Sequence, residues 1–406
     1  MLSRPRLAST FYLPVAALTT ASLILPFDPS TNAVWLAVLV VASSQLFIAL
    51  PLSLNGTQNS TPLTSAESRW PLTAMAVISV AALGCFVIDR LVTEVPITSS
   101  AAINRDLWVQ DRSGAGSGIR TIWSFAGQLL IGFASWSIAL SSRSVRQNWV
   151  PILMGAVSIF GYAFLVGGRS QIIVTLALII AVQVCLAGPQ WPRIGKLILL
   201  AIVLVIGIIF SSLVFSQRAS RSDVDGFLYL QLVTRKLGAN CTADPSTYPI
   251  IQWLLISSAY LLHSIWVLGE LLEGTLPPSG TSFGVLWVTM LGKLGIGSDA
   301  VPNELEGRFL PLFGCLLYDY GWAGAIAGWA FLVSACTWAW TGWRRKSDYL
   351  LPLRAILVCI ALLAPFMNPI DLSIAPSVCL SACAFVLVRR YSSTISSSVR
   401  RSKKAE

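Results

Sequence analysis

Long runs of apolar residues alternate with short polar segments along most of this chain. A transmembrane helix needs about 20 predominantly apolar residues, so each long run predicts a membrane-spanning helix. Ten spans are predicted, at 11–27, 33–54, 71–92, 120–141, 149–166, 170–187, 197–216, 321–343, 350–367 and 376–391. The pattern therefore predicts an all-α polytopic membrane protein.

The region between the seventh span and the last three is harder to interpret. Two apolar stretches, 251–272 and 281–296, lie there among polar segments. If both cross the membrane the total is twelve spans, and if both lie at or re-enter the outer face it is ten. The ionisable residues inside them are His263, Glu270 and Lys293. Such residues are costly where they face lipid, which favours one large external region, 217–320, with partly embedded helices.

Basic residues predict the orientation, because cytoplasmic loops are enriched in Lys and Arg. With the N-terminus inside, four basic clusters fall on the cytoplasmic side, namely Arg143/Arg146, Arg193/Lys196, 344–346 and 400–404. The predicted organisation is seven helices in 1–216, the external region 217–320, the C-terminal helices in 321–392 and a basic cytoplasmic tail, 393–406. Both termini are then cytoplasmic.

Composition agrees with this class and removes others. The chain is 55% hydrophobic and only 11% charged, whereas soluble proteins carry about 25% charged residues. An ordinary soluble enzyme is thereby excluded. The net charge of +10 reflects orientation in the membrane, so no nucleic-acid partner is expected. Most of the eight cysteines lie inside apolar runs, where they resemble small hydrophobic residues, and no metal site is expected.

Several arginines fall on the predicted outer side, where the orientation rule does not require them. Arg218, Arg221 and Arg235 follow the seventh span, and Arg169 and Arg308 lie at the external ends of spans. Guanidinium groups match phosphate oxygens bidentately, so these arginines are candidates for binding a phosphate-bearing ligand. The alternatives are that long loops escape the orientation rule and that such arginines anchor helices at the interface.

Arg169 is the most constrained of these arginines. In Gly167-Gly168-Arg169-Ser170 the connection between two spans is only a few residues long, so Arg169 is held at the membrane surface where the next helix begins. Glycine permits close backbone approach, and a helix N-terminus favours anions.

Three further residues are candidates for proton transfer, namely Asp319, His263 and Glu270. Asp319 stands near a membrane boundary between two tyrosines and is followed by Gly321 and Gly324, with Gly328 completing a small-residue spacing for close helix packing. His263 is the only histidine and is a suitable proton acceptor near neutral pH. Its alternative role is that of a structural residue with satisfied hydrogen bonds.

Three features together resemble a known family. They are Gly167-Gly168-Arg169-Ser170 opening an apolar helix, the long arginine-bearing external region, and the late Leu317-Tyr318-Asp319-Tyr320-Gly321-Trp322-Ala323-Gly324. In order and spacing they resemble the Wzy-type O-antigen polymerases, which carry a G-x-R-S helix start and a late D-[FY]-G-x-x-G. The resemblance covers mainly residues 160–345.

The resemblance implies a GT-C-like membrane fold in the bacterial inner membrane. It implies a glycosyltransferase, without metal or other cofactor, that moves a growing glycan from undecaprenyl diphosphate onto another lipid-linked oligosaccharide repeat unit at the periplasmic face. Membrane lipids surround such an enzyme, and a chain-length regulator and a flippase are its implied partner proteins.

The resemblance also assigns roles to residues. Gly168, Arg169 and Ser170 match the helix start, and Asp319, Gly321 and Gly324 match the late motif. The external arginines correspond only by location. The expected catalytic residues are Asp319, His263 and Arg308, and the expected diphosphate ligands are Arg169, Ser170, Arg218, Arg221 and Arg235.

Two other activities stay open. An O-antigen ligase shares the substrates, and its histidine pattern is partly matched by His263, Ser264 and Gly274, but Pro277 occupies the last position. A flippase or transporter of lipid-linked oligosaccharides would carry charges near span centres and some repeat symmetry. Here most charges lie near span ends or in loops, which favours the polymerase.

Overall fold

A computed structural model describes most of the chain. The described residues are 5–54, 69–112, 121–142, 145, 147–166, 170–187, 212, 214–220, 224–244, 246–276, 309–341, 351–372 and 374–388. Four of the predicted site residues lie outside them: Gly168, Arg169, Arg221 and Arg308. Most of the seventh predicted span and all of the apolar stretch 281–296 also lie outside them.

The described chain is almost entirely α-helical. In chain order its elements are α1 Pro5–Ile24, β1 Phe27–Pro29, α2 Val34–Leu54, α3 Arg69–Val92, α4 Ala101–Arg112, α5 Ile122–Leu130, α6 Gly132–Ser141, α7 Trp149–Val166, α8 Ser170–Ala187, α9 Gly226–Leu237, β2 Ala239–Cys241, α10 Pro249–Leu272, α11 Leu312–Thr341, α12 Leu351–Leu363 and α13 Ala375–Val388. A helical segment also covers 214–220. The prediction of an all-α protein is confirmed apart from two strands of three residues each.

The apolar helices are those of a membrane protein. Among the described residues, four helical stretches are long and apolar enough to cross a membrane: Leu72–Val92, Ile122–Ser141, Trp149–Val166 and Pro249–Leu272. Five shorter apolar helices accompany them: Tyr12–Ile24, Val34–Ala49, Ser170–Cys185, Leu351–Leu363 and Ala375–Val388. The total of ten to twelve spans stays a prediction, as does the orientation.

The outer end of the bundle, defined here as the end where α3 and α7 finish together, is fastened to the region 214–276. Val214 packs against Ala101, Ala102 and the ring of Phe164, so the segment 214–220 lies at this end. The ring of Phe215 in turn stacks on that of Tyr260 in α10, with 5.4 Å between centroids. The N-terminal half of α10 is thereby attached to the outer end.

The other end of α10 meets the connector between α1 and α2. The Glu273 carboxylate accepts hydrogen bonds from the N–H groups of Asn32 and Ala33, at 2.7 and 2.9 Å, where its charge suits the start of α2. Strand β1 in the same connector pairs antiparallel with β2. Both halves of α10 therefore contact segments that the alternation of spans predicts on one side, while its length and apolar character are those of a membrane span, so its assignment to the external region stays a prediction.

Helix α11 is a hairpin of two helices that meet at Gly321. The backbone of Gly321 has φ 65° and ψ −172°, a conformation that is essentially restricted to glycine. The rings of Phe313 and Trp329 lie 5.7 Å apart, although a continuous helix would separate residues at this spacing by about 24 Å. The chain therefore reverses at Gly321, which is where the sequence predicts the eighth span to begin.

The small residues after the reversal allow the two halves of this hairpin to touch. A Cβ atom at Gly328 would lie 2.9 Å from the Leu316 side chain, and one at Gly324 would overlap the Tyr320 Cβ atom. The spacing that predicted close helix packing thus corresponds to contact within α11 itself. Asp319 is carried at the tip of this hairpin.

We expect Gly321→Ala to destabilise the protein by about 1–3 kcal/mol, because alanine must adopt the strained conformation or open the hairpin. The measurement is thermal denaturation of the protein in detergent micelles. Gly84→Ala is the matched control, since a Cβ atom there meets open space and alanine is favoured in a helix by about 1 kcal/mol. Equal melting temperatures for the two variants would contradict the reversal at Gly321.

Candidate functional site

The buried side chain of Arg90 joins three elements at the outer end. Arg90 is only 2% exposed, and its Nη2 atom donates hydrogen bonds to the carbonyl oxygens of Asn104 (2.7 Å) and Leu165 (2.6 Å). The Asn104 amide donates in turn to the carbonyl of Phe164. Helix α4 is therefore fixed over the end of α7, immediately before the connection 167–169.

The neighbouring Asp89 fastens the start of α5 to the same place. Its carboxylate accepts a hydrogen bond from the hydroxyl of Thr121, which caps α5 in a capping box with Ser124. Three connections of the bundle, those after α3, before α5 and after α7, are thereby held together at the outer end.

Two arginines are carried by segments that contact each other beside this junction. Arg105 lies on α4 and Arg218 on the segment 214–220, and these segments are joined by a hydrogen bond from the Ser100 hydroxyl, just before α4, to Gln217 Oε1 at 2.9 Å. Burial lowers the pKa of the Arg105 guanidinium, and the positive charge of Arg218 lowers it further. The nearby Tyr260, Asp106 and Tyr162 raise the pKa of Arg105 and so oppose these two effects.

We name Arg105 and Arg218 the arginine cluster. Placing like charges near each other in a partly buried setting is unfavourable, and a bound anion would offset that repulsion. The arrangement is therefore suited to binding an anionic group.

His263 lies on the same helix as Tyr260 and is fully buried. Its Nδ1 atom is 2.8 Å from the Tyr260 carbonyl oxygen, and its Nε2 atom accepts the backbone N–H of Phe309 at 2.8 Å. Since a carbonyl can only accept, the ring is neutral with its proton on Nδ1. To act as the predicted proton acceptor, His263 would have to release the Phe309 amide. The geometry favours its alternative role, in which it holds the chain directly after Arg308 against α10.

The remaining predicted residues fall at different places. Ser170 opens α8 and is half-buried. Asp319 is half-buried at the tip of α11, followed by Gly321 and Gly324. Arg235 lies on the last turn of α9, where a cation suits the helix C-terminus, and it lines a separate cavity with Glu270. The structure thus brings Arg218 to the arginine cluster and places Arg235 elsewhere.

Sequence reasoning missed Arg90 and Arg105. The connector between the third and fourth predicted spans contains helix α4, which begins at Ala101 and ends at Arg112. Ala101, Ala102 and Asn104 in its first turn are buried, and these small or polar residues before a charged position were the available signal.

Among the described residues, no three His, Cys, Asp or Glu side chains are grouped so that they could hold a metal ion. Comparison of the chain with protein-family models, with curated proteins and with solved structures finds no match.

Arg90 and Arg105 should respond differently to replacement. We expect Arg90→Met to lower the melting temperature, because each lost hydrogen bond to a charged group contributes about 1.5–3 kcal/mol. Arg105→Met should leave the melting temperature unchanged or raise it, because it removes repulsion from Arg218. Both are measured by thermal denaturation in detergent micelles. A loss in Arg105→Met as large as that in Arg90→Met would show that Arg105 supports the fold and not a ligand.

Proposed function

We propose that this protein is a glycosyltransferase that polymerises lipid-linked oligosaccharide repeat units at the outer face of the bacterial inner membrane. The observation that carries the proposal is the contact at the outer end of the apolar helices between the segments that carry Arg105 and Arg218, made by Ser100 and Gln217. Helix α7 also ends there, at Val166. The GT-C-like fold, ten to twelve spans and cytoplasmic termini belong to this proposal.

The proposed reaction requires positive charge beside the diphosphate, which these arginines can supply. A hydroxyl oxygen of the acceptor repeat unit attacks the anomeric carbon of the growing glycan, and the bond from that carbon to the diphosphate oxygen breaks. Undecaprenyl diphosphate leaves, and the hydroxyl proton passes to a base. Negative charge develops on the diphosphate as the bond breaks, so guanidinium groups directed at it lower the barrier.

The position of the cluster suits a substrate with a lipid tail. The apolar helices below it expose large hydrophobic side chains such as Leu153 and Val157 on α7, which lipid would cover in a membrane. A polyprenyl chain would remain in the lipid while its diphosphate reaches the arginines at the helix ends. Arg169, Arg221 and Arg308, which lie outside the described residues, are proposed as further ligands on the basis of the resemblance.

Asp319 is the proposed base. It is half-buried at the tip of α11, and the first half of that helix is anchored beside α10 through Gly314 and Leu268. His263 is proposed to position the Arg308 segment through the Phe309 amide. A flippase and a chain-length regulator are the proposed partner proteins.

The test is chain extension by the purified protein in liposomes that contain a lipid-linked repeat unit. We expect a ladder of longer glycans together with free undecaprenyl diphosphate. Arg218→Gln should reduce the extension rate by about 10²–10³-fold, the usual effect of removing one group that stabilises a developing charge. Arg344→Gln is the control, since it removes one arginine on the predicted cytoplasmic side.

The alternatives give different products in the same liposomes. Movement of the lipid-linked unit across the bilayer without longer glycans would support a flippase, and transfer onto added lipid A core would support a ligase. Full extension activity in Arg218→Gln would contradict the proposed role of the cluster.

The pH dependence of extension separates the two roles of His263. If His263 only positions the chain, His263→Gln should lower kcat/KM by a similar factor at every pH. The acidic limb of the profile should then persist, because its base is elsewhere. Loss of a limb near pH 6.5, the ordinary histidine pKa, would instead identify His263 as the proton acceptor.

A further inference from the structure

A second polar site lies on the outer side, away from the arginine cluster. It is a cavity of about 310 Å³, near the lower limit of ligand pockets, which range from about 300 to 1,000 Å³. Its walls are the connector after β1, the last turn of α9, strand β2 and the end of α10. The lining residues are Ser30, Arg235, Lys236, Gly238, Ala239, Asn240 and Glu270.

The walls of this cavity are fixed by backbone interactions. Strand β1 pairs with β2, with Asp28 opposite Asn240, and the N–H of Ser30 donates to the carbonyl of Gly238 at 2.9 Å. Gly238 ends α9 in the left-handed conformation with φ 97°, which turns the chain into β2. The Ser30 hydroxyl lies 3.1 Å from Glu270 Oε1. The cavity is therefore held by three separate parts of the chain.

The chemistry of the lining selects a type of ligand. A carboxylate, an amide, a hydroxyl and two cationic side chains face one small space, so both acceptors and donors are available. A phosphate would be attracted by Arg235 and Lys236 but repelled by Glu270, and an apolar ligand would separate the charged groups from water. A sugar presents hydroxyl groups that both donate and accept, and it matches the whole set.

The distance from the arginine cluster limits what the cavity can do. Tyr260, which neighbours Arg105, and Glu270 are ten residues apart on α10, about 15 Å along the helix. A sugar bound in the cavity therefore lies about 15 Å along α10 from Tyr260 and the arginine cluster.

We propose that this cavity is a glycan subsite that binds one sugar of the lipid-linked oligosaccharide at a distance from the bond being formed. The inference rests on the proposed glycosyltransferase function. Binding of a remote sugar contributes equally to the ground state and the transition state, so it selects the repeat unit and lowers KM without changing kcat. Arg235 then belongs to sugar recognition and not to diphosphate binding.

The test compares binding and kinetics in full-length protein. The binding probe is the soluble repeat-unit oligosaccharide, cleaved from its lipid, measured by calorimetry in detergent micelles. We expect Glu270→Gln and Asn240→Ala each to weaken binding by about ten-fold, equivalent to about 1.4 kcal/mol, and to raise KM for extension by a similar factor at unchanged kcat. Asp28→Asn is the matched control, since Asp28 is exposed on β1 and does not line the cavity.

Each outcome decides between specific possibilities. Chain extension by the wild type with unchanged KM in both cavity variants overturns the subsite and leaves the glycosyltransferase proposal intact. Binding of the oligosaccharide that depends on Glu270 and Asn240, without any chain extension, supports the sugar site and overturns the glycosyltransferase proposal.

Two further results would also overturn the subsite. A fall in kcat at unchanged KM in Glu270→Gln would make Glu270 a catalytic group. Tighter binding of inorganic pyrophosphate in Glu270→Gln, with no change for the oligosaccharide, would make the cavity an anion site. Melting temperatures of the variants, measured alongside, separate lost binding from lost folding, and Asn240→Ala supplies a second variant if Glu270→Gln does not fold.

Discussion

The hydrogen bonds of the Arg90 guanidinium are the interaction on which the outer end of this protein depends. Carbonyl oxygens at the ends of apolar helices have no intrahelical donors, and in a low-dielectric setting an unsatisfied polar group is costly. By donating to the carbonyl of Leu165, in the last turn of α7, Arg90 satisfies one of them, and by donating also to the carbonyl of Asn104 it joins α4 to α7. Arg105, one residue beyond Asn104, is positioned as a consequence.

A guanidinium group that is held in place in this way can bind an anionic ligand. Arg105 and Arg218 are carried by segments that contact each other. Burial lowers the pKa of the Arg105 guanidinium, and the charge of Arg218 lowers it further. An anion at this point converts the repulsion into binding, which is why the cluster and not the more exposed Arg235 carries the functional proposal.

Helix α10 connects the two polar sites. Its aromatic side chain Tyr260 stacks on Phe215 beside the arginines, and Glu270 reaches the cavity near Ser30. Between them, His263 accepts the amide of Phe309 and anchors the segment that leads into the α11 hairpin. A single rigid helix thereby sets the separation between an anion site and a sugar site, and an extended substrate could occupy both.

The sequence by itself determined the class of this protein and the extent of most helices. Long apolar runs can satisfy their backbone groups in lipid only as helices, so α7 and α8 begin and end at the residues that the pattern predicts. The spacing of Gly321, Gly324 and Gly328 predicted close helix packing, but the chain reversal at Gly321 was not predicted. Tertiary structure alone decided which polar residues meet. Arg218 and Arg235 are equivalent in the sequence, but contacts between residues far apart in the chain place one beside Arg105 and the other beside Glu270. The role of His263 depends on the Phe309 amide, 46 residues away. Local pattern reports which side chains are buried or exposed, whereas the partner of a charged group is fixed by packing between distant segments.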